Sequence, residues 1–256
     1  MLGRFSFGPK FYKSVHRTVL NPVWQRSIHI KTLTTPNENA LKFVSTDGGL
    51  LQEKGTQSVE IKNTDEELLK HAPFPSKVFQ QCPGVEAMMI GDDFVTINKD
   101  ELIHWNQVTP TVIDLLVQHL ASGKPTFLPD FFDVKKSSEV GYDVDIPKFE
   151  YDEDEQEISE MIDELIQTRI RPAIMDDGGD IQYRGWNPET GTVYLKLQGA
   201  CKSCSSSEDT LKHGIEAMLK HYIEEVEDVV QILDPEEKIA LAEFEKLEKK
   251  LESSKR

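Results

Sequence analysis

Cys201 and Cys204 are the residues whose type and spacing in this sequence could carry out chemistry. Only Lys202 and Ser203 separate them, so both sulfurs can point at one metal centre. Thiolates are the ligands that iron–sulfur clusters and zinc require, and the same spacing occurs in thiol–disulfide oxidoreductases. The spacing alone therefore leaves four interpretations open: cluster binding, redox chemistry, a zinc site and a purely structural pair.

The residues on either side place this pair between a strand and a helix. Residues 193–197 alternate between apolar and polar side chains, which predicts a strand that ends shortly before the cysteines. Ser205 and Glu208 have the spacing of a capping box, which predicts that a helix begins directly after the cysteines. The helix N-terminus and Lys202 both favour thiolate over thiol, and Gly199 lets the backbone approach a metal centre closely.

Other features of the sequence bear on these interpretations. A thioredoxin-like oxidoreductase has a βαβ pattern before its cysteines, whereas a predicted β-hairpin precedes them here. Zinc needs further ligands, but there is no second cysteine pair, and His213 lies nine residues beyond Cys204 inside a predicted helix. A four-iron cluster takes four thiolates, and this loop supplies two. The simplest completion is a second copy of the domain, related by a two-fold axis, with the cluster between the copies.

Composition limits the other possibilities. The 256 residues suggest two domains, because domains usually contain about 100–150 residues. A net charge of −16 argues against a nucleic-acid partner, since neutralising phosphates requires an excess of lysine and arginine. No apolar run approaches the roughly 18 residues of a membrane helix, so we expect no membrane partner. Three cysteines are too few for a disulfide scaffold and suit a reducing compartment.

The N-terminal segment differs from the rest of the chain in its charge. Residues 1–37 contain six lysines and arginines and no Asp or Glu, with apolar residues between them. A basic, acid-free and amphipathic start is typical of a mitochondrial presequence, with a cut somewhere in residues 26–37. A disordered basic arm is the alternative. In either case, we expect this segment to take no part in the fold.

Residues 38–127 are predicted to form a first α+β domain. Residues 40–44 alternate as a strand does, and residues 85–90 and 94–99 flank a short turn, which predicts a β-hairpin. Thr109 is expected to be the N-cap of an amphipathic helix that follows the hairpin. Nothing in this domain predicts catalysis.

Several residues of this first domain have side chains that can bind metals, but none has a partner at ligand spacing. Cys82 stands alone, and a lone cysteine usually behaves as a small buried hydrophobe. His104, Trp105 and His119 are likewise predicted to be packing or surface residues.

The remainder divides into a linker, a second domain and a tail. The acidic stretch 128–156 has little apolar periodicity and is predicted to be an extended linker. Residues 157–234 are predicted to form an αββαβ domain, whose first helix, residues 158–170, is expected to stop near Pro172. Residues 235–256 are predicted to contain an amphipathic helix. The apolar stripe of that helix consists of Leu241, Phe244, Leu247 and Leu251.

Several motifs follow one another through the second domain in a fixed order. They are Arg171-Pro172-Ala173-Ile174, Asp177-Gly178-Gly179-Asp180-Ile181, the strand from Gly191 to Leu197, Gly199-Ala200-Cys201, Cys204 and Thr210-Leu211-Lys212. With these motifs the domain resembles the NifU-like C-terminal domain of Nfu-type iron–sulfur scaffold proteins. Residues 40–125 likewise resemble the N-terminal domain of the mitochondrial members. One departure is Ser205, because many members have proline after the second cysteine.

The resemblance implies a role for the two cysteines. Members of the family hold a 4Fe-4S cluster between two subunits, so Cys201 and Cys204 of each chain would be its ligands in a homodimer. The cluster would come from upstream assembly proteins and pass, without catalysis, to apo iron–sulfur proteins of the mitochondrial matrix. The clients that the resemblance implies are lipoyl synthase, aconitase-type dehydratases and respiratory-chain subunits.

Two other functions stay open at this point. A thiol–disulfide oxidoreductase would use Cys201 and Cys204 as a redox pair, and iron analysis would separate it from a scaffold. A non-catalytic adaptor would bind its partners through an acidic surface and would keep its function when the cysteines are replaced.

Overall fold

The computed structural model shows two α+β domains, each built around its own apolar core. The predicted fold class is therefore confirmed. The described parts of the chain are residues 28–46, 49–50, 58–139, 149–202 and 205–233, with Lys238, Glu243 and Lys246. Most of the predicted presequence and most of the predicted C-terminal helix lie outside them.

The N-terminal domain is an antiparallel sheet with helices on one face. Its strands are β1 (Ile30–Thr34), β2 (Ala40–Ser45), β3 (Val59–Lys62), β4 (Val85–Ile90) and β5 (Phe94–Lys99). They lie in the order β1-β2-β5-β4-β3. The predicted hairpin is confirmed as β4 and β5, whose turn is closed by a hydrogen bond of 2.9 Å from Gly91 N to Phe94 O.

The helices of this domain pack against one face of the sheet and close the core. They are α1 (Glu66–Lys70), α2 (Pro73–Gln81), α3 (Trp105–Ser122) and α4 (Phe131–Glu139). Helix α3 begins at Trp105, so the predicted start after Thr109 is wrong. Val108 is buried in the core, and Trp105 Nε1 donates to Glu38 O at 3.0 Å. These contacts stabilise the helical turn that precedes Thr109. No helix in the described ranges has the length and apolar composition to cross a membrane.

Helix α4 lies inside the stretch that the sequence predicts to be a linker. Phe131, its first residue, is fully buried and stacks on Phe127 with 4.2 Å between the ring centroids. These two rings anchor α4 to the core of the N-terminal domain, so the linker prediction is wrong for residues 131–139. It is also wrong for residues 153–156, which form the start of a helix of the C-terminal domain. Two aromatic residues in an acidic stretch produce no helical periodicity, so the sequence pattern does not predict helix α4. Residues 140–148 lie outside the described residues.

Strand β1 lies inside the predicted presequence. It pairs with β2 along its whole length, from Ile30 opposite Ser45 to Thr34 opposite Leu41. The expectation that residues 1–37 take no part in the fold is therefore wrong for residues 30–34. Alternation is hard to see in this strand because it lies at the edge of the sheet and most of its side chains are exposed.

The C-terminal domain is a helical segment, a three-stranded sheet and a long helix. Its elements are α5 (Glu153–Leu165), a π-helical turn (Ile166–Ile170), α6 (Arg171–Asp176), β6 (Gly179–Asn187), β7 (Thr192–Gly199), a 3₁₀ turn (Ala200–Lys202), α7 (Ser205–Tyr222) and β8 (Asp228–Gln231). Strands β6 and β7 are antiparallel, as predicted, and β8 lies parallel to β7.

The first helical segment does not stop at Pro172. Pro172 lies in the first turn of α6, a position at which proline is common. The π-helical turn before it lets the chain pass from α5 to α6 without a break. The predicted end of the helix is therefore wrong, and the helical segment extends to Asp176.

The second face of the N-terminal sheet packs against the C-terminal domain. A row of directly opposed residues crosses this face in the order Lys42, Thr96, Met89 and Glu60. Thr96 and Met89 are fully buried. Lys42 Nζ donates to Met175 O in the last turn of α6 at 2.6 Å, and burial lowers the pKa of Lys42. This face of the sheet is therefore an interface between the two domains.

Candidate functional site

Cys201 lies in the 3₁₀ turn that follows strand β7, where the sequence places it. Its side chain is buried with 9% exposure and belongs to the core of the C-terminal domain. Cys204 lies outside the described residues, and so do the side chains of the predicted capping box, Ser205 and Glu208. Among the described residues, no group of three or more His, Cys, Asp and Glu side chains is placed to hold a metal ion.

Gly179 makes room for the Cys201 thiol. A Cβ atom on Gly179 would lie 2.3 Å from Cys201 Sγ, which is too close for real atoms, and 3.1 Å from Gln198 O, which is tighter than most real contacts. The thiol therefore rests directly on the backbone at the start of β6. This contact gives a reason for the second glycine of the Asp177–Asp180 motif that the sequence alone does not supply.

Gly199 has a different role from the one that the sequence suggests. Its φ of +70° is a conformation that residues with a side chain rarely adopt. A Cβ there would lie 2.6 Å from Met89 Sδ and 2.8 Å from Gly178 O. Gly199 therefore permits a close backbone approach, but to the N-terminal domain and to the β6 end of the hairpin.

An apolar cavity of about 430 Å³ lies beside Cys201, between α6 and α7. Ala173 and Ile174 line it from one side and Leu211 and Ile215 from the other. Pro36 of the N-terminal domain also lines it. The Cys201 thiol therefore lies between the core of its own domain and this cavity, in surroundings that partly exclude water.

Side chains of the N-terminal domain hold the backbone just before Cys201. Glu60 Oε1 accepts from Gly199 N at 3.0 Å, and Asn98 Nδ2 donates to Gly199 O at 3.3 Å. Asn37 Nδ2 donates to Ala200 O at 3.2 Å and is itself buried. No sequence pattern points to these three residues, because each contact joins positions more than 100 apart in the chain.

A buried ion pair fixes the start of β6 against α6. Arg171 donates to both carboxylate oxygens of Asp180, with Nε to Oδ1 at 2.7 Å and Nη2 to Oδ2 at 3.0 Å. Asp180 also accepts from Ser58 N at 3.3 Å and from Ile181 N at 2.8 Å. The hydrogen bonds to Asp180 raise the pKa of Arg171. The pair lies one residue from Gly179 and thus supports the surface on which the thiol rests.

The other residues that could bind a metal lie where the sequence predicts. Cys82 is buried at the end of α2 in the core of the N-terminal domain, and burial raises the pKa of its thiol. His119 stacks on Phe74 with 4.3 Å between the rings, and burial lowers its pKa. His104 is exposed. The prediction that these are packing or surface residues is confirmed.

Replacing Gly179 with alanine is expected to displace Cys201. The added methyl group cannot fit 2.3 Å from Sγ, so the turn that carries Cys201 or the start of β6 must shift. We expect stability to fall by about 1–3 kcal/mol, as overpacking usually costs. The Cys201 thiol of the metal-free protein should react several-fold faster with iodoacetamide, because it is pushed out of its buried position. Thermal unfolding and mass spectrometry of the labelled protein measure the two effects.

Gly214→Ala is the matched control, because a Cβ on Gly214 in α7 would have nothing within 4 Å. This substitution should leave the labelling rate of Cys201 unchanged and should stabilise the helix by about 0.5–1 kcal/mol. Equal labelling rates in the two variants would show that Gly179 does not position the thiol.

The chain matches two family models, one for each domain. A model described as "NifU-like domain" matches residues 162–230. A model described as "Scaffold protein Nfu/NifU N terminal" matches residues 30–123. The first match contains both cysteines of the candidate site, and the second begins at the first residue of β1.

Curated relatives match the chain along most of its length. The mitochondrial NifU-like protein of Saccharomyces cerevisiae is 61% identical over 249 residues, which are 95% of this chain and 97% of that protein. NifU-like protein 4, mitochondrial, of Arabidopsis thaliana is 38% identical over 83% of this chain and 69% of its own. The mitochondrial protein named NFU1 iron-sulfur cluster scaffold homolog from Drosophila virilis is 37% identical over 91% of this chain and 71% of its own.

Proposed function

Because the chain belongs to the Nfu-type family of NifU-like scaffold proteins, we propose that it is an iron–sulfur cluster scaffold. Cys201 and Cys204 are its cluster ligands in this proposal. The observation that carries it is the position of Cys201, in the NifU-like domain, at a strand end beside an apolar cavity. Gly179 supports it as well, because the space that it leaves is filled by the thiol.

We propose further that the cargo is a 4Fe-4S cluster shared by two subunits. Such a cluster takes four thiolates, and each chain contributes two in this arrangement. Cys82 lies in the core of the other domain and is not counted among the ligands. A homodimer in the loaded form follows from this ligand count.

The proposed cellular role is cluster delivery in the mitochondrial matrix. Relatives that match the chain carry "mitochondrial" in their names. The proposed clients are apo iron–sulfur proteins such as lipoyl synthase, aconitase-type dehydratases and respiratory-chain subunits, and upstream assembly proteins supply the cluster. A presequence cut within residues 26–29 would fit this role, because it would keep β1 in the mature protein.

A transfer experiment tests the proposal. The protein is reconstituted with iron and sulfide without oxygen and mixed with an apo aconitase-type dehydratase. We expect dehydratase activity to return in proportion to the cluster added, while a chelator in solution captures little of the iron. A thiol–disulfide oxidoreductase would instead bind no iron and would reduce a disulfide substrate catalytically, and that result would overturn the proposal.

A further inference from the structure

The two domains contact each other at the cysteine loop, defined here as residues 199–202. Glu60, Asn98 and Asn37 bond to the backbone of this loop, as described above. Ala200 N donates to Gly178 O within the C-terminal domain at 3.2 Å. The backbone polar groups of residues 199 and 200 are therefore all bonded, and three of the four partners belong to the N-terminal domain.

The apolar contacts at this place are equally close. Met89 lies so close to Gly199 that a Cβ at position 199 would be 2.6 Å from Met89 Sδ. Thr35 and Thr96 approach Gly178 so closely that a Cβ on it would lie 3.0 Å from Thr35 Cγ2 and 3.2 Å from Thr96 Oγ1. The N-terminal domain thus packs tightly against the open end of the hairpin that supports the cysteine loop.

This packing restrains the thiol itself. Cys201 Sγ rests on Gly179 and is turned toward the core of its own domain. A thiol that binds an iron shared with a second chain must point out of its own domain. Residues 199–201 must therefore move, and the bonds to the N-terminal domain oppose that movement, because a buried backbone group that loses its partner is costly.

We propose that Asn37, Glu60 and Asn98 are positioning residues that hold the cysteine loop with the Cys201 thiol turned inward. The N-terminal domain thereby keeps the unloaded protein closed, and the domains separate at this interface before the cluster is bound. This inference rests on the proposed function, since it assigns the movement to cluster loading.

The rest of the interface between the two domains is of a kind that can separate. Lys42 Nζ donates to Met175 O, and Ser58 N donates to the Asp180 carboxylate, so this part of the interface includes polar contacts. Interfaces between domains of one chain resemble transient protein–protein interfaces, which are more polar than permanent ones. Each domain also has a separate apolar core, so opening the interface exposes neither core.

Lys42→Glu is the substitution that tests the proposal without touching the cysteine loop. The new carboxylate would face two backbone carbonyls of α6 and lie near Asp93, Asp176 and Asp177. Repulsion between this carboxylate and the α6 carbonyls should open the interface. In the open form the carboxylate at position 42 is exposed to water and is not repelled. The matched control is Lys77→Glu, which makes the same change of charge on the exposed surface of α2.

The measurement is the rate at which Cys201 reacts with iodoacetamide in metal-free, full-length protein. Trypsin cuts after Lys196 and Lys202, so the Cys201 peptide is separate from the Cys204 peptide in mass spectrometry. We expect Lys42→Glu to raise the Cys201 rate by about tenfold, the factor expected when charge-assisted contacts are lost, and Lys77→Glu to leave it unchanged. Cys82 should react slowly in all samples, because it lies in the N-terminal core.

An unchanged Cys201 rate in Lys42→Glu would overturn the proposal. If the Cys82 rate rises as well, the N-terminal domain has unfolded, and the double variant Asn37→Ala/Asn98→Ala then decides. That variant removes two donors to the loop without adding charge, so faster labelling of Cys201 alone supports the proposal and unchanged labelling refutes it. No cluster is present in this experiment, so its outcome is independent of whether the protein proves to be a scaffold.

Discussion

Alanine at either Cys201 or Cys204 is expected to reduce the iron bound after anaerobic reconstitution to less than about a tenth of the normal content. The reason is the ligand count. A cluster shared by two chains takes two thiolates from each, so one substitution removes two of the four ligands from every dimer. Iron and acid-labile sulfide, counted per chain, measure the effect.

Cys82→Ala is the control for these two variants. Cys82 is buried in the N-terminal core, so its replacement should cost stability, by about 1 kcal/mol, but leave the iron content unchanged. Loss of the cluster in Cys82→Ala alone would mean that the ligands have been assigned to the wrong cysteines. Normal iron content in Cys201→Ala would have the same meaning.

Asp180→Ala should produce the largest loss of stability in the C-terminal domain. Asp180 is fully buried and receives two hydrogen bonds from Arg171, whose side chain is 15% exposed. Removing one partner of a buried ion pair leaves the other charge without compensation, which usually costs about 3–5 kcal/mol. Denaturant unfolding should show this loss.

Two further variants make this prediction specific. Asp152→Ala removes an exposed N-cap that accepts from Glu155 N at 2.9 Å, so it should cost only about 1 kcal/mol. The double variant Arg171→Met/Asp180→Leu replaces the pair with apolar side chains and should recover much of the lost stability. If Asp180→Ala and Asp152→Ala were equally mild, the ion pair would not be supporting the cysteine loop.

Alternation and turn signals were sufficient where an element is amphipathic and bounded by clear turns. The hairpin of β4 and β5, the hairpin of β6 and β7, and the helix after the cysteines were all predicted on this basis. Elements without such a pattern were missed. Strand β1 is exposed along most of its length, and α4 depends on Phe131, a single fully buried ring.

The candidate site shows a similar division. A pair of cysteines at this spacing is easily recognised in a sequence, so Cys201 is predicted as a candidate ligand without knowledge of its surroundings. Gly179 belongs to a sequence motif, but its role is to leave space for Cys201 Sγ across the hairpin, and this contact is visible only in the structure. Asn37, Glu60 and Asn98 are ordinary polar residues in strands or loops, and only the packing of one domain on the other brings them to the loop.

Native mass spectrometry of the anaerobically reconstituted protein tests the central claim most directly. It reports the number of chains and the mass of the bound cluster in one species. We expect two chains carrying one 4Fe-4S cluster, and single chains when no iron or sulfide is supplied. A complete cluster on a single chain, or a dimer that carries zinc or no metal at all, would contradict the proposed scaffold.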